Sequence, residues 1–226
     1  MDKKGGGHRE TGRFDGIHGE LGALMRSEKG VQPMNFFEVS YKGTPPWDIG
    51  RPQPEFVQLE EMGEIKGHAL LDAGCGTGDN AFYFSEKGYE VTGIDSAPTA
   101  IETAKRKARD RKLVVEFTLF DALELERLGR IFDTVLDSGL FHVFSNKERR
   151  AYVTGLAAVL APGGMFHMLC FSEREKGPFG PRRVTQREIH KCFGDGWEPN
   201  GIKEARFATN SPKGWSWAWL ASYIRR

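Results

Sequence analysis

Short apolar runs alternate with amphipathic stretches through the middle of the chain. The apolar runs predict five strands, over His68–Ala73, Glu90–Ile94, Val114–Phe120, Phe132–Asp137 and Met165–Phe171. Helical periodicity begins at Pro54 and returns between the strands, over Asn80–Lys87, Thr99–Lys112, Ala122–Leu128 and Asn146–Leu160. Strands that alternate with amphipathic helices in this way predict a parallel sheet covered on both faces.

The chain ends on a different pattern. The runs "GIKEARFATN" and "WSWAWLASYIRR" are both strand-like and only "SPKG" separates them, so they predict a β-hairpin. One strand of a hairpin has to run antiparallel in an otherwise parallel sheet. Capping boxes, Ser145 with Glu148 and Thr185 with Glu188, mark two helix starts in the preceding part of the chain.

Residues 1–33 differ from the rest of the chain. They are rich in glycine and mixed charges and carry few large apolar side chains, so we expect a flexible N-terminal arm. A short helix over His18–Glu28, acting as a lid, is the alternative. Residues 34–226 then form a single domain.

Composition sets the broad class. The 226 residues suit one α/β domain, and 39% hydrophobic with 28% charged residues is ordinary for a soluble protein. The net charge of +1 creates no global field toward nucleic acid or anionic lipid. We expect a cytoplasmic protein, since no apolar run approaches about 18 residues and the N-terminus lacks a signal-peptide core. The cysteines Cys75, Cys170 and Cys192 have no metal-binding spacing, and no metal site is predicted.

The stretch "LLDAGCGTGDN" joins an apolar strand to a glycine-rich turn and a helix. It lacks the Lys-Ser or Lys-Thr of a phosphate-binding P-loop. Its glycines, Gly74, Gly76 and Gly78, are spaced GxGxG, and Asp79 stands where the dinucleotide fingerprint has its third glycine. A carboxylate at that helix N-terminus would repel a pyrophosphate, so a ligand that is not anionic there is favoured.

Two further carboxylates end neighbouring strands. Asp95 ends the second strand at about 20 residues from the glycine turn, the distance at which an acidic side chain binds ribose hydroxyls. Asp121 ends the third strand at the same sheet edge. Together with the turn they predict a ribose and an adenine without a pyrophosphate. The alternative is that both aspartates only cap the helices that follow.

The segments "LLDAGCGTG", "GIDSAP", "FDA", "FDTVLDSGLFH" and "LAPGGMFHML" resemble, in order, the motifs of class I S-adenosylmethionine-dependent methyltransferases. The resemblance covers about residues 34–226, and the closing hairpin is similar to that family's antiparallel seventh strand. It implies an α/β, Rossmann-like sheet of seven strands, mostly parallel with an antiparallel last strand and with helices on both faces.

The resemblance also implies the residues that hold S-adenosylmethionine, whose product is S-adenosylhomocysteine. The glycine turn would pass under the methionine part near Asp72, and Asp95 would hold the ribose. Asp121 would meet the adenine, and Asp137 would lie at the reactive edge. The full implied cofactor set is Trp47, Asp72, Gly74, Cys75, Gly76, Gly78, Asn80, Asp95, Ser96, Asp121, Ala122, Asp137 and Ser138.

Methyl transfer mainly requires an aligned acceptor and the exclusion of water, and a general base helps when the acceptor carries a proton. His142, in "SGLFHVF" just after the fourth strand, is the candidate base because its pKa class suits proton removal near neutrality. The alternative is that His142 only packs or orients the substrate.

Two segments point to a small acceptor. "TPPWDIGRPQP" resembles the Trp-bearing segment of thiol, halide and thiopurine methyltransferases, which implies that residues 34–54 cover the cofactor and that Trp47 contacts its sulfonium by cation–π attraction. Trp47 could instead be a hydrophobic plug. The loop after the fifth strand is similar to that of bacterial heterocyclic-toxin methyltransferases. The predicted substrate residues are Tyr41, Trp47, His142, Arg182 and Arg183.

The predicted activity is methylation of an oxygen, nitrogen or sulfur atom of a small molecule such as a hydroxylated heterocycle, phenol or thiol. One alternative is a non-catalytic S-adenosylmethionine-binding protein. Another is an RNA methyltransferase, suggested by the basic run Lys105–Lys112, although the [DN]PP[FY] motif of base-nitrogen enzymes is replaced by Asp137–Leu140. No membrane or nucleic-acid partner is expected, and the chain should act as a monomer or weak homodimer.

Overall fold

A seven-stranded sheet organises the chain in a computed structural model that describes residues 33–177 and 180–226. The strands are β1 Ala69–Ala73, β2 Glu90–Asp95, β3 Glu116–Leu119, β4 Phe132–Ser138, β5 Leu160–Phe171, β6 Trp197–Ala208 and β7 Trp215–Arg225. They lie in the order β3-β2-β1-β4-β5-β7-β6, and only β7 runs against the others. The predicted fold class is confirmed. The predicted N-terminal arm and the His18–Glu28 helix lie outside the described residues.

The helices flank this sheet. They are α1 Pro33–Ser40, α2 Pro54–Glu61, α3 Asp79–Glu86, α4 Pro98–Arg111, α5 Asn146–Val159 and α6 Gln186–Cys192, with 3-10 turns at Ala122–Arg127 and Phe141–Val143. Prolines open α2 and α4, where a missing N–H costs nothing. Both predicted capping boxes form, at the starts of α5 and α6.

Three elements differ from their predicted form. The third strand is shorter than predicted, since pairing with β2 covers only Glu116–Leu119. β5 is longer, because Leu160 already pairs with Phe132 before a register shift. The predicted helix over Ala122–Leu128 is a 3-10 helix with a kink at Glu124.

Apolar side chains alternate between the two faces of the sheet. Leu71 and Val135 lie in a cluster with Tyr152 on one face, whereas Leu70 and Leu136 lie in a second cluster on the other. The two-residue period of the strands produces this division. None of the helices in the described part of the chain is long and apolar enough to cross a membrane.

The strand order reverses between β1 and β4, whose register pairs Ala73 with Asp137. On its other side, β1 pairs Ala73 with Ile94 of β2. The carboxyl ends of three strands therefore meet at one place. In open α/β sheets such a switch point is where ligands bind.

The Ser145 capping box should stabilise α5 measurably. The Ser145 hydroxyl accepts a hydrogen bond from the Glu148 N–H, and the Glu148 carboxylate accepts one from the Ser145 N–H. We expect Ser145→Ala to lower the free energy of unfolding in urea by about 1 kcal/mol. Thr154→Ala is the control, because the exposed Thr154 hydroxyl bonds only within the helix, to Arg150 O at 3.0 Å. Equal losses in both variants would contradict the role of the cap.

Candidate active site

The glycine turn between β1 and α3 presents bare backbone at the switch point. Gly74, Gly76 and Gly78 have φ values of 73°, 54° and 92°, in the left-handed region that glycine tolerates. The N–H groups of Gly74 and Cys75 both donate to Ile94 O at 2.8 Å. The turn is therefore pinned to the end of β2 and keeps one conformation.

An open cavity lies beside this turn. Its walls come from the segment before α2, the glycine turn, the start of α3 and the ends of β4 and β6. The residues that line it are Tyr41, Trp47, Asp48, Ile49, Arg51, Gln53, Gly74, Cys75, Gly76, Thr77, Asp79, Asn80, Ser138 and Phe207. Predicted cofactor or substrate residues among them are Tyr41, Trp47, Gly74, Cys75, Gly76, Asn80 and Ser138.

The segment of residues 34–54 lies over the glycine turn. The Trp47 indole N–H donates to Tyr41 Oη at 3.0 Å. A Cβ on Gly76 would lie 2.5 Å from Tyr41 Oη, so glycine at this position allows the close approach. The Thr77 hydroxyl donates to Asp48 Oδ1 at 2.8 Å and ties the segment to the turn.

Several cavity residues carry little local sequence signal. The Gln53 side chain accepts the Ala208 N–H at 2.9 Å and donates to Ala208 O at 3.1 Å. The Gln53 N–H also donates to Asn80 Oδ1 at 2.9 Å. These bonds join the covering segment, the end of β6 and α3. Thr77, which lies between two glycines, could have been proposed from the motif, but Gln53 and Phe207 could not.

Asp79 is compensated by two cations of α4. Its carboxylate lies 3.2 Å from Lys107 Nζ and 3.5 Å from Arg111. Its predicted repulsion of a pyrophosphate is therefore weaker than the sequence indicated. The same contacts direct part of the basic run Lys105–Lys112 toward α3, and the Arg111 guanidinium lies 4.6 Å from the Phe82 ring centre.

Three carboxylates converge below and beside the turn. Asp72 is fully buried, and within residues 33–177 and 180–226 its oxygens have no hydrogen bond of good geometry; the Ala81 N–H at the start of α3 lies near enough only to lower its pKa in part. Burial, together with the charges of Asp95 and Asp137, raises the pKa of Asp72 to about 7. Such a carboxylate without partners is costly unless a ligand compensates it.

The other two carboxylates organise backbone. Asp95, half-buried, accepts the N–H of Gly76 at 2.9 Å and of Ala97 at 2.8 Å, and burial still raises its pKa. Asp137 is fully buried and accepts the N–H of Leu140 at 2.7 Å and of Phe141 at 3.0 Å. Burial outweighs those amides and raises the Asp137 pKa to about 7.

Other predicted cofactor residues lie away from the cavity walls. Asp121 is exposed at the end of β3 and accepts the Leu123 N–H at 2.9 Å, so it caps the 3-10 helix that begins at Ala122. Gly78 precedes α3, and a Cβ there would meet Phe117 at 2.7 Å. Ser96 is half-buried next to Asp95.

Cys75 lines the cavity but is unsuited to act as a nucleophile. Burial and the neighbouring carboxylates of Asp72 and Asp95 raise the pKa of its thiol well above the ordinary value. The thiol therefore stays protonated and uncharged, and its Sγ lies 3.7 Å from Gly76 O. Cys75 was expected to contact the cofactor only because it lies in the glycine turn.

His142 does not fit the predicted general-base role. Its Nδ1 accepts the Phe171 N–H at 3.0 Å, so in the neutral ring the proton lies on Nε2. Burial and the charges of Arg149 and Arg183 lower the His142 pKa to about 3. A base needs an unprotonated nitrogen directed at the acceptor. The base role stays a prediction, and the geometry favours the alternative of an orienting residue, because Nδ1 is occupied and Nε2 carries the proton.

The two predicted substrate arginines have different surroundings. Arg182 pairs with Glu188 at the start of α6. Arg183 donates from Nε to Glu175 O at 3.2 Å, and its guanidinium lies 5.8 Å from the Phe171 ring centre. Since Phe171 also contacts His142, Arg183 is the arginine of this pair that lies at the His142 edge of the site.

Comparison with known proteins places this arrangement among methyl-transferring enzymes. A family model described as a methyltransferase domain matches residues 70–164. A 2-heptyl-1-hydroxyquinolin-4(1H)-one methyltransferase of Mycobacteroides abscessus is 36% identical over 187 residues, which is 78% of this chain and 82% of that protein. A protein named "Probable thiol methyltransferase 2" of Arabidopsis thaliana is 29% identical over 177 residues, 76% of this chain and 77% of its own length.

One solved structure is also similar in sequence. It comes from work on the conversion of a disulfide bond into a thioacetal group during echinomycin biosynthesis. It superposes with a TM-score of 0.78 at 37% identity, and the match covers 85% of this chain and 92% of that one.

The buried Asp72 charge should make stability fall as pH rises. The folded protein holds this proton up to a pH of about 7, whereas the unfolded chain loses it near 3.8. Between these values the folded state binds more protons, so the free energy of unfolding decreases with rising pH. We expect Asp72→Asn to be more stable than the natural protein at pH 8, by on the order of 2 kcal/mol, and to gain little near pH 4.

Asp133→Asn is the control of opposite sign. Asp133 accepts the N–H of His68 at 2.8 Å and of Ala69 at 2.9 Å, and these bonds lower its pKa. The Asp133 carboxylate therefore stabilises the folded protein at a pH above its pKa in the unfolded chain. This contribution is lost as the pH falls through its pKa in the folded protein. Asp133→Asn should therefore destabilise the protein at pH 8. Urea unfolding at both pH values measures each effect, and an Asp72→Asn variant that is less stable at pH 8 would contradict the buried charge.

Proposed function

The chain belongs to the class I S-adenosylmethionine-dependent methyltransferases, and we propose that it methylates an oxygen, nitrogen or sulfur atom of a small molecule. Hydroxylated heterocycles, phenols and thiols are the proposed acceptor classes. When bound, S-adenosylmethionine supplies a reactive methyl group on a positively charged sulfur. The residues of this chain hold that cofactor, align the acceptor and exclude water.

The convergence of Asp72, Asp95 and Asp137 is the observation that carries this proposal. Three carboxylates around one glycine turn create a negative potential, and because burial raises the pKa of Asp72 and Asp137 to about 7, it is fully developed only above that pH. A cationic ligand compensates that potential, whereas an anionic dinucleotide would add to it. Asp72, whose oxygens have no partner among the described residues, fits a ligand that brings positive charge to the turn.

The proposed roles of the other residues follow from their positions. The backbone from Gly74 to Gly78 would carry the methionine part, and Asp95 would accept hydrogen bonds from the ribose hydroxyls. Trp47, held by its bond to Tyr41, would cover the cofactor from the opposite side. Asp121 and Ala122 are proposed for the adenine, since they follow β3 at the same sheet edge.

A small acceptor agrees with the surroundings of the cavity. Its lining combines the aromatic side chains of Tyr41, Trp47 and Phe207 with a few polar groups, as small-molecule sites do. The similar enzyme of Mycobacteroides abscessus is named for a hydroxylated quinolinone, which supports a hydroxylated heterocycle as the first class to test. The RNA alternative loses support, because Lys107 and Arg111 of the basic run are engaged with Asp79. We place the enzyme in the cytoplasm, where free cysteines such as these persist.

Calorimetric titration of the protein with S-adenosylmethionine, S-adenosylhomocysteine and NADH tests the cofactor. We expect both sulfur compounds to bind and NADH not to bind. Asp95→Ala should weaken the sulfur compounds at least 10-fold, about 1.4 kcal/mol, because the ribose hydroxyls lose a charged acceptor. Asp110→Ala, on the exposed face of α4, is the matched control and should leave affinity unchanged.

Turnover is then screened with phenols, thiols and hydroxylated heterocycles. Methylated product from any of these classes supports the proposed activity. Folded protein that binds neither sulfur compound would overturn it. Tight binding without turnover on any acceptor would instead favour the non-catalytic alternative.

A further inference from the structure

We propose that the acceptor binds as an anion and that its reacting atom accepts a hydrogen bond from the Nε2–H of His142. The site is thereby selective for acidic hydroxyl, N-hydroxy or thiol groups over amines. This inference rests on the proposed function and specifies its substrate class. It replaces a general base with a hydrogen-bond donor.

The tautomer of His142 follows from its place in the fold. The Phe171 N–H at the end of β5 donates to His142 Nδ1 at 3.0 Å, in buried surroundings. Turning the ring over would present a carbon to that N–H and leave a buried donor without a partner, which costs about 1–3 kcal/mol. Nδ1 is therefore the acceptor, and Nε2 carries the proton.

The His142 ring is also fixed in orientation. Asp137 holds the turn before it by accepting the N–H groups of Leu140 and Phe141, and the Arg149 Nε–H donates to Phe141 O at 3.0 Å. The His142 ring lies 4.9 Å from the centre of the Phe171 ring in an edge-to-face contact. A donor held in this way needs little reorganisation when charge is present on its partner.

The His142 ring adjoins the residues that line the cavity. Its Cε1 atom, which lies between the two ring nitrogens, would be 3.1 Å from a Cβ placed on Gly139. Gly139 follows Ser138, and the centre of the Phe207 ring is 6.0 Å from His142; both Ser138 and Phe207 line the cavity. His142 Nε2 has no hydrogen-bond partner within residues 33–177 and 180–226, and the residue keeps 5% of its surface exposed.

Two cations lie near His142. Arg149 on α5 bonds the carbonyl of the preceding residue, Phe141, and Arg183 on the loop after β5 lies over Phe171, which contacts His142; both charges lower the His142 pKa. Arg149 is fully buried, and its nearest carboxylate, that of Glu188, is 3.8 Å away. A positive field at this edge lowers the pKa of an acidic acceptor and disfavours an ammonium group. The acceptor proton is therefore lost to solvent as the acceptor binds.

The chemical step then needs no base. A lone pair of the anionic oxygen or sulfur forms the bond to the methyl carbon, while the carbon–sulfur bond of the cofactor breaks and its electron pair stays on sulfur. No proton remains on the product atom, so charge is conserved without proton transfer to the protein. The Nε2–H of His142 aligns the anion during this step and retains its own proton.

Absorbance of a bound chromophoric acceptor tests the ionisation directly, without turnover. The probes are 4-nitrophenol and any coloured hydroxylated heterocycle found in the screen, titrated with pH in the presence of enzyme and S-adenosylhomocysteine. We expect the phenolate band to appear at least about one pH unit lower than in free solution, a 10-fold shift. His142→Phe and Arg183→Gln should reduce this shift. Arg127→Gln, at an exposed residue that pairs with Glu124, should not.

The pH dependence of kcat/KM provides the second readout, with acceptors whose acidities span neutrality. We expect the inflection to follow the acidity of the acceptor, and His142→Phe to lower kcat/KM by roughly 100-fold. His142→Gln, which keeps an N–H donor, should recover part of this loss. A neutral phenol band in the complex, or one inflection common to all acceptors and absent in His142→Gln, would overturn the proposal. Either result would leave cofactor binding and turnover, which test the proposed function, unaffected.

Discussion

The burial of three carboxylates at one sheet edge is the constraint on which the rest of the site depends. The register of β1 with β2 and β4 brings the ends of these strands together, so Asp72, Asp95 and Asp137 cannot separate without breaking the sheet. Burial raises the pKa of each of them. Backbone N–H groups of the two turns offset part of this cost for Asp95 and Asp137. For Asp72 the described residues offer only the Ala81 N–H, which forms no hydrogen bond of good geometry.

The charged side chains give the two sides of the site electrostatic potentials of opposite sign. Asp72 and Asp95 make the glycine turn negative, which suits a cofactor with a cationic sulfur. Beyond Asp137 the sign changes, since Arg149 and Arg183 lie near His142 and lower its pKa. Asp137 joins the two sides, because it accepts the amides of the turn that carries His142. A cationic donor and an anionic acceptor would thus each be held on the side of opposite charge, with their reactive atoms between them.

Local patterns predicted most of the fold. Apolar runs marked every strand of the parallel part, and the "SPKG" turn revealed the reversed strand, because these features depend on neighbours in sequence. The two capping boxes were also visible, since all four residues lie within short windows. α1 was not anticipated, and the 3-10 form of Ala122–Arg127 was not distinguished from an α-helix, because both depend on packing and on the Asp121 cap.

The site was predictable in its motifs and less so in its chemistry. The glycine turn and the strand-end carboxylates could be read from spacing, whereas the Gln53–Ala208 bonds join residues 155 positions apart. The charge of Asp79 was misjudged because its partners, Lys107 and Arg111, are on another helix. The tautomer of His142 was out of reach of the sequence for a similar reason. Its tautomer is set by the Phe171 amide, which no local pattern connects to it.

The number of protons released when the cofactor binds tests the negative side of the site most directly. Calorimetry in buffers of different ionisation enthalpy, at a pH just below 7, measures this number. We expect S-adenosylmethionine to release protons from the Asp72 and Asp137 carboxyls, S-adenosylhomocysteine to release fewer because it lacks the sulfonium charge, and Asp72→Asn to reduce the release. Binding without proton release, or a release that is the same for both compounds and unchanged in Asp72→Asn, would contradict a cofactor site built on buried carboxylates.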